Sequence, residues 1–127
     1  MYDLSGLPAG GTAWVREDWR MLRDRMHITK DRAYLHHHGG SMVAVWGVGF
    51  NDRNKPREYS LAECRKLIEF LKAGGCTVML GVATGWREQT RDAMTDPELH
   101  EVVQLADVIS PWTPGRYRDL KGVARHA

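Results

Sequence analysis

Residues 41–53, Ser41-Met42-Val43-Ala44-Val45-Trp46-Gly47-Val48-Gly49-Phe50-Asn51-Asp52-Arg53, constrain the fold of this chain more than any other stretch. They begin as an apolar run of β-formers, too short to span a membrane, and end in glycines, an aromatic ring and polar groups. An unbroken apolar strand, unlike an alternating one, predicts burial on both faces, as in a parallel sheet covered by helices. Residues just past the carboxyl end of such a strand are where α/β folds place their chemistry.

The rest of the chain repeats this strand-then-loop pattern. Met1-Tyr2-Asp3 reads as the end of a strand whose own beginning is missing, and residues 4–12 as a glycine-rich loop. Val15, Trp19, Leu22 and Met26 follow at spacings of four, three and four, which predicts one apolar face of a helix. Trp14 and Trp19 both read as packing residues of that helix. Residues 33–38 predict an extended arm that turns through Gly39-Gly40 into the central strand. Ser60 and Glu63 have capping-box spacing, and Leu61, Cys64, Leu67, Ile68 and Leu71 form the stripe of a second helix, stopped by Gly74-Gly75. Residues 76–82 are a second β-branched apolar strand. Asp96-Pro97 starts a third helix, with Leu99, Val102, Val103 and Leu105 on its apolar face. Residues 107–110 are a last short strand, and residues 118–127 a loop or a frayed helix.

Strand and helix therefore alternate, which predicts an α/β fold of βα units with parallel strands. Two of the turns that enter a strand from a helix, at Gly74-Gly75 and Ala106-Asp107, are short. All four loops that leave a strand are long and carry tryptophan, tyrosine, arginine or aspartate. A (β/α)8 TIM barrel has this asymmetry, with structural turns below and active-site loops above. Four strands are roughly half of such a barrel, and a closed barrel needs about 200 residues or more. The 127 residues are thus expected to form either a four-stranded open sheet or a partial barrel domain, 1–127, incomplete at both ends.

These same strings, in this order and at about this spacing, resemble the middle of glycoside hydrolase family 99 and the family 71/99-like group. They are Tyr2-Asp3-Leu4-Ser5-Gly6-Leu7, Tyr34-Leu35 with residues 43–53, Gly81-Val82-Ala83-Thr84-Gly85-Trp86-Arg87, and residues 106–117 ending Trp112-Thr113-Pro114-Gly115-Arg116-Tyr117. The resemblance implies a (β/α)8 barrel of a bacterial glycosidase type that hydrolyses α-mannosidic or related polysaccharide linkages. It implies a periplasmic or extracellular setting, with any export signal upstream of Met1. It also implies that the two catalytic carboxylates lie in an acidic motif downstream of the Trp-Thr-x-Gly-Arg-Tyr segment, which residues 118–127 do not match. The expectation is therefore a chain that supplies sugar-binding loops without the catalytic pair and is inactive alone. The alternative is a non-catalytic carbohydrate-binding or inactive half-barrel, completed by pairing with a second copy.

Glycosidases need two carboxyl groups facing the scissile bond, one holding a proton and one charged. Asp3 and Asp52 stand at strand ends, with Glu88 further out, but substrate-hydroxyl binding or structural hydrogen bonding is favoured for the first two, and the catalytic residues stay unknown. Aromatic faces stack on the apolar faces of pyranose rings while Asp, Asn and Arg reach hydroxyls. Tyr2, Asp3, Trp46, Phe50, Asn51, Asp52, Trp86, Arg87, Trp112, Arg116 and Tyr117 are accordingly the candidate substrate-binding residues. Trp46 lies close enough to its strand to serve equally as a packing residue, and Asp52-Arg53 as a loop ion pair.

Other chemistries find little support. The net charge of +2, with both signs interspersed, does not point to nucleic acid, and no stretch is long and apolar enough for a membrane span. Open sheet edges make self-association the expected protein contact. Cys64 and Cys76 form neither a disulfide framework nor a metal motif and read as packing residues. His36-His37-His38 would alternate sides on an extended arm, so no metal is expected. Residues 6–11 lack the lysine and spacing of a phosphate loop, and no cofactor is expected.

Overall fold

The computed structural model describes residues 1–52, 55–115 and 117–124, with residues 52, 55 and 56 placed by backbone alone. Strand β1 (Tyr2–Asp3) leads into helix α1 (Thr12–Arg20), which runs on as a π-turn, Met21–Arg25, and is followed by a short 3-10 turn, Ile28–Lys30. Strands β2 (His36–His37) and β3 (Gly40–Val48) form an antiparallel hairpin, and β4 (Asn51–Asp52) and β5 (Lys55–Pro56) pair antiparallel. Helix α2 (Leu61–Ala73), strand β6 (Cys76–Val82), helix α3 (Glu98–Val103), strand β7 (Val108–Pro111) and helix α4 (Leu120–Ala124) complete the order.

The main sheet runs β1-β3-β6-β7, every pair parallel, with β2 attached antiparallel to β3. Its strands stand in the order in which the chain meets them. Right-handed crossovers that always step the same way put every helix on one face, and α1 packs on α2 and α2 on α3 as a single layer. Consecutive βα units take this order in a (β/α)8 barrel, of which four strands are half. The α/β alternation expected from the sequence is the architecture found.

One expectation about the central strand does not hold. On the helix side of β3, Val43, Val45 and Val48 are buried, beside Cys76, Val78, Leu80 and Val82 of β6. On the other face Met42, Ala44, Trp46 and Met79 are only half-buried. The apolar residues 42, 44 and 46 therefore do not report a second helical layer. Among the described residues no helix covers them, because all three crossovers lie on the opposite side.

Helix α2 is where local chemistry and packing agree best. Ser60 Oγ accepts the Glu63 amide at 3.2 Å and Glu63 Oε2 accepts the Ser60 amide at 2.8 Å, so the capping box forms in full. All five stripe residues, Leu61, Cys64, Leu67, Ile68 and Leu71, are buried against the sheet. Burial pushes the Cys64 thiol up to about 12 and also raises Cys76, so both remain protonated packing groups at neutral pH. The helix ends at Gly74-Gly75, and Asp107 ties the bottom of the sheet by accepting Lys72 Nζ at 2.7 Å and the Val78 amide at 2.9 Å.

Elsewhere the local expectations need correction. Val15 and Trp19 are buried as the stripe of α1 predicts, but Met26 is 60% exposed. The Met26 amide reaches back five residues to the Met21 carbonyl, and this widened turn rotates Met26 off the packed face. Trp14 is 63% exposed and does not pack. In the stretch after β3, Asn51–Asp52 and Lys55–Pro56 pair antiparallel as β4 and β5. The tail contains the short helix α4, on which Leu120 is exposed. Among the described residues no helix is long and apolar enough to cross a membrane.

Glu63 also accepts the Gly10 amide at 2.6 Å, so one carboxylate caps α2 and anchors the β1–α1 loop. The backbone amide of Ser60, chiefly, and then that of Gly10 hold its carboxyl below the usual range. A depressed carboxyl contributes stability above its unfolded pKa and loses it as pH falls through the folded one. Glu63→Gln is expected to lower stability by about 0.5–1 kcal/mol at pH 7. In urea melts the gap to wild type should close once the pH falls below the carboxylate range.

Candidate functional site

The carboxyl ends of the strands are shaped first by backbone devices. At Gly47, φ is +108° and the β3–β6 register slips between Trp46 and Val48. The bulge inserts one residue, so Trp46 stays on the open face while Val48 turns into the helix-side core. A Cβ at Gly47 would meet Tyr59 Oη at 2.9 Å, and that hydroxyl donates to the Gly47 carbonyl at 2.7 Å. Gly81, across from Trp46, is the floor of an indole slot: a Cβ there would lie 2.1 Å from Trp46 Cδ1.

On this floor the rings gather. Trp46 packs against Phe50 at 4.6 Å between centroids, with planes tilted by 39°, and meets Trp112 edge-on at 5.1 Å. Phe50 is buried and carries the Arg57 guanidinium 5.7 Å above its ring. Trp112 is 44% exposed and gives the cluster its open rim. The Trp46 Nε1 proton is shielded from solvent and has no hydrogen-bond partner among the described residues. A buried unpaired donor of this kind costs about 1–3 kcal/mol.

The loops are stitched together around the rings. The stretch after β6 crosses the end of β3, where Phe50 and Ala93 form an antiparallel bridge. The Asn51 amide donates to the Asp92 carbonyl at 2.8 Å and the Met94 amide to the Gly49 carbonyl at 2.9 Å. Asp92, 8% exposed, accepts the amides of Thr84 and Gly85 on its carboxylate. The Thr84 hydroxyl donates to the Trp112 carbonyl, which joins the exits of β6 and β7.

The candidate residues divide accordingly. Trp46, Phe50 and Trp112 meet in one cluster, with Asn51 at its margin and Asp3 beside Trp46 in register. Both bonds to the Asp3 carboxylate, from the Ser5 amide at 2.9 Å and the Ser5 hydroxyl, fall on Oδ1, so Asp3 shapes the first loop. Tyr2 pairs with Val45 and so lies on the helix side, donating to Asp18 Oδ2 at 2.7 Å. Burial and that carboxylate raise its phenol above the ordinary value. Trp86 and Arg87 stack on each other at 5.2 Å beside α3, where His100 Nε2 lies 3.0 Å from both of their carbonyls. They line a separate groove of about 320 Å³ with Val103, Gln104 and Ile109. Tyr117 is exposed next to Gly122. Arg116 and the Asp52 side chain lie outside the described residues.

Arg57, Tyr59 and Asp92 escape the sequence reading because each reaches the site from a loop with no periodicity of its own. Their partners are set by the path of the chain. His36 Nδ1 lies 2.9 Å from the Tyr34 carbonyl, and the rings of His37 and His38 meet edge-on. Among the described residues no three metal-binding side chains converge. The chain matches no protein-family model, no curated protein and no solved structure.

Because the Trp46 indole lies over Gly81, Gly81→Ala is expected to eject the ring at a cost of roughly 1–3 kcal/mol. Tryptophan emission should shift to the red, and the shift should be absent in a Trp46→Phe background.

Proposed function

We propose that this chain forms a sugar-binding wall of a family 99-like glycoside hydrolase barrel, acting on α-mannosidic or related polysaccharide linkages. The supporting observation is the Trp46–Phe50–Trp112 cluster, which stands where β3 and β7 leave the sheet and is half open to solvent. An indole face such as that of Trp112 suits the apolar C–H face of a pyranose. The Asn51 side chain, at the margin, supplies the amide chemistry that orients ring hydroxyls.

The role proposed is binding, and bond cleavage is assigned elsewhere. Among the described residues, Asp3 is committed to Ser5 and Asp92 to the loop amides, while Glu88 is exposed in the β6–α3 loop. None of these combines a buried proton-holding carboxyl with a charged partner across an open cleft, which glycoside hydrolysis requires.

Titration of the chain with manno-oligosaccharides, followed by tryptophan emission and calorimetry, tests the reading. Saturable binding is expected, weakened roughly tenfold by Trp112→Ala, which corresponds to about 1.4 kcal/mol of lost stacking. Cello-oligosaccharides should bind less well. Absence of saturable binding, or binding indifferent to loss of both Trp46 and Trp112, would sink it.

A further inference from the structure

Trp112, the exposed rim of the ring cluster, stands just past the end of its own strand. The last pair of the β6–β7 ladder is Val82 with Pro111. The Trp112 amide makes one further bond in the sense of that ladder, donating to the Val82 carbonyl at 2.9 Å. Its carbonyl leaves the ladder and accepts the Thr84 hydroxyl instead. Both backbone polar groups of Trp112 are thereby held by the exit of β6, one on each side of its Cα. This fixes the direction in which the side chain leaves the backbone, and the indole meets Trp46 edge-on at 5.1 Å.

Thr84 can hold Trp112 only if it is held itself. Asp92, 8% exposed, accepts the Thr84 amide on Oδ2 at 3.3 Å and the Gly85 amide on Oδ1 at 3.2 Å. Its own carbonyl accepts the Asn51 amide at 2.8 Å, and its neighbour Ala93 bridges Phe50. The side chain of Asp92 thus faces the exit of β6 while its main chain faces the exit of β3. A carboxylate suits this place because both of its oxygens accept, whereas a carboxamide would turn an N–H toward an amide N–H. The loop returns so tightly that a Cβ on Gly85 would lie 2.1 Å from the Thr90 carbonyl oxygen.

We propose that Thr84 is the positioning residue of the ring cluster: its hydroxyl holds Trp112 against Trp46, and Asp92 holds Thr84. Thr84 acts through Trp112 and not on the ligand. The stacking face is set before a sugar arrives, so binding does not have to order an exposed indole. The consequence for binding rests on the sugar reading of the cluster, whereas the placement of the ring rests on the hydrogen bonds alone.

Two indoles this close, inclined at 72°, should give an exciton couplet in far-ultraviolet circular dichroism, identified by its loss in Trp46→Phe. Thr84→Val keeps the branched shape of the side chain and removes the hydroxyl. It should lose most of the couplet and weaken manno-oligosaccharide binding roughly three- to tenfold, the equivalent of one hydrogen bond. Thr84→Ser should restore both. Thr95→Val is the control, since it removes a hydroxyl that donates within the same loop, to the Gln89 carbonyl at 3.3 Å. Couplet and affinity should stay at their wild-type values there, and all three threonine variants should still melt cooperatively. A full couplet in Thr84→Val, an equal loss in Thr84→Ser or Thr95→Val, or a lost couplet with unchanged affinity would each overturn the proposal. The couplet is read without ligand, so a wild-type chain that binds no sugar defeats the sugar reading while the couplet still decides whether Thr84 positions Trp112.

Discussion

The parallel ladder between β3 and β6 holds this molecule together. It runs from Ser41 opposite Cys76 to Val48 opposite Val82 and is sealed on one face by the apolar stripe of α2. A parallel pair cannot be closed by a tight turn, so its formation requires a crossover. Here the crossover is a helix whose cap, stripe and stop are all written locally, between Ser60 and Gly75. β1 and β7 then add at the two sides, and α1 and α3 flank α2. Removing the ladder would leave no surface on which either outer βα unit could pack.

The same ladder sets the position of the ring cluster. Because the β6 residue opposite Trp46 is a glycine, the indole lies across β6 rather than standing away from the sheet. Because Gly47 bulges, the residues beyond it turn, and the chain can deliver Phe50 to the same cluster while Val48 enters the core. Gly49, at φ +74°, lies so close to Leu99 of α3 that a Cβ would come within 2.2 Å of it. A single run of the chain thus serves as core strand, as bulge and as binding wall. The roles are separated by two backbone positions that only glycine fills without strain.

The two faces of the sheet are stabilised by different means. The helix side is a packed core in which even Cys64 behaves as an apolar group. The open side is held by loop-to-loop hydrogen bonds around Asp92 and by ring contacts at one end, and at the other by the Thr77 hydroxyl, which donates to the His37 carbonyl at 2.5 Å. Trp86 and Arg87, similar in sequence context to Trp46 and its neighbours, fall on the helix side because the chain after β6 turns toward α3. Aromatic and charged residues just past a strand are therefore not equivalent sites. The direction in which each loop leaves the sheet decides which face they join.

What the sequence determined by itself is what depends on near neighbours along the chain. The capping box of Ser60 and Glu63, the stripe of α2, the glycine stop, the apolar strands at residues 41–48 and 76–82 and their alternation with helices were all legible, because hydrogen-bond offsets and periodicity are local quantities. Part of the site was legible in the same way: Trp46, Phe50 and Trp112 were recognisable as rings at strand ends. The tertiary structure decided the rest. It sent Tyr2 to Asp18, released Met26 and Trp14 to solvent, and brought Arg57, Tyr59 and Asp92 to the strand ends from loops without pattern. It also left one face of an unbroken apolar strand uncovered. An apolar run records that both faces of a strand avoid water, but what covers each face is set by the handedness of the crossovers, which no local pattern of residues encodes.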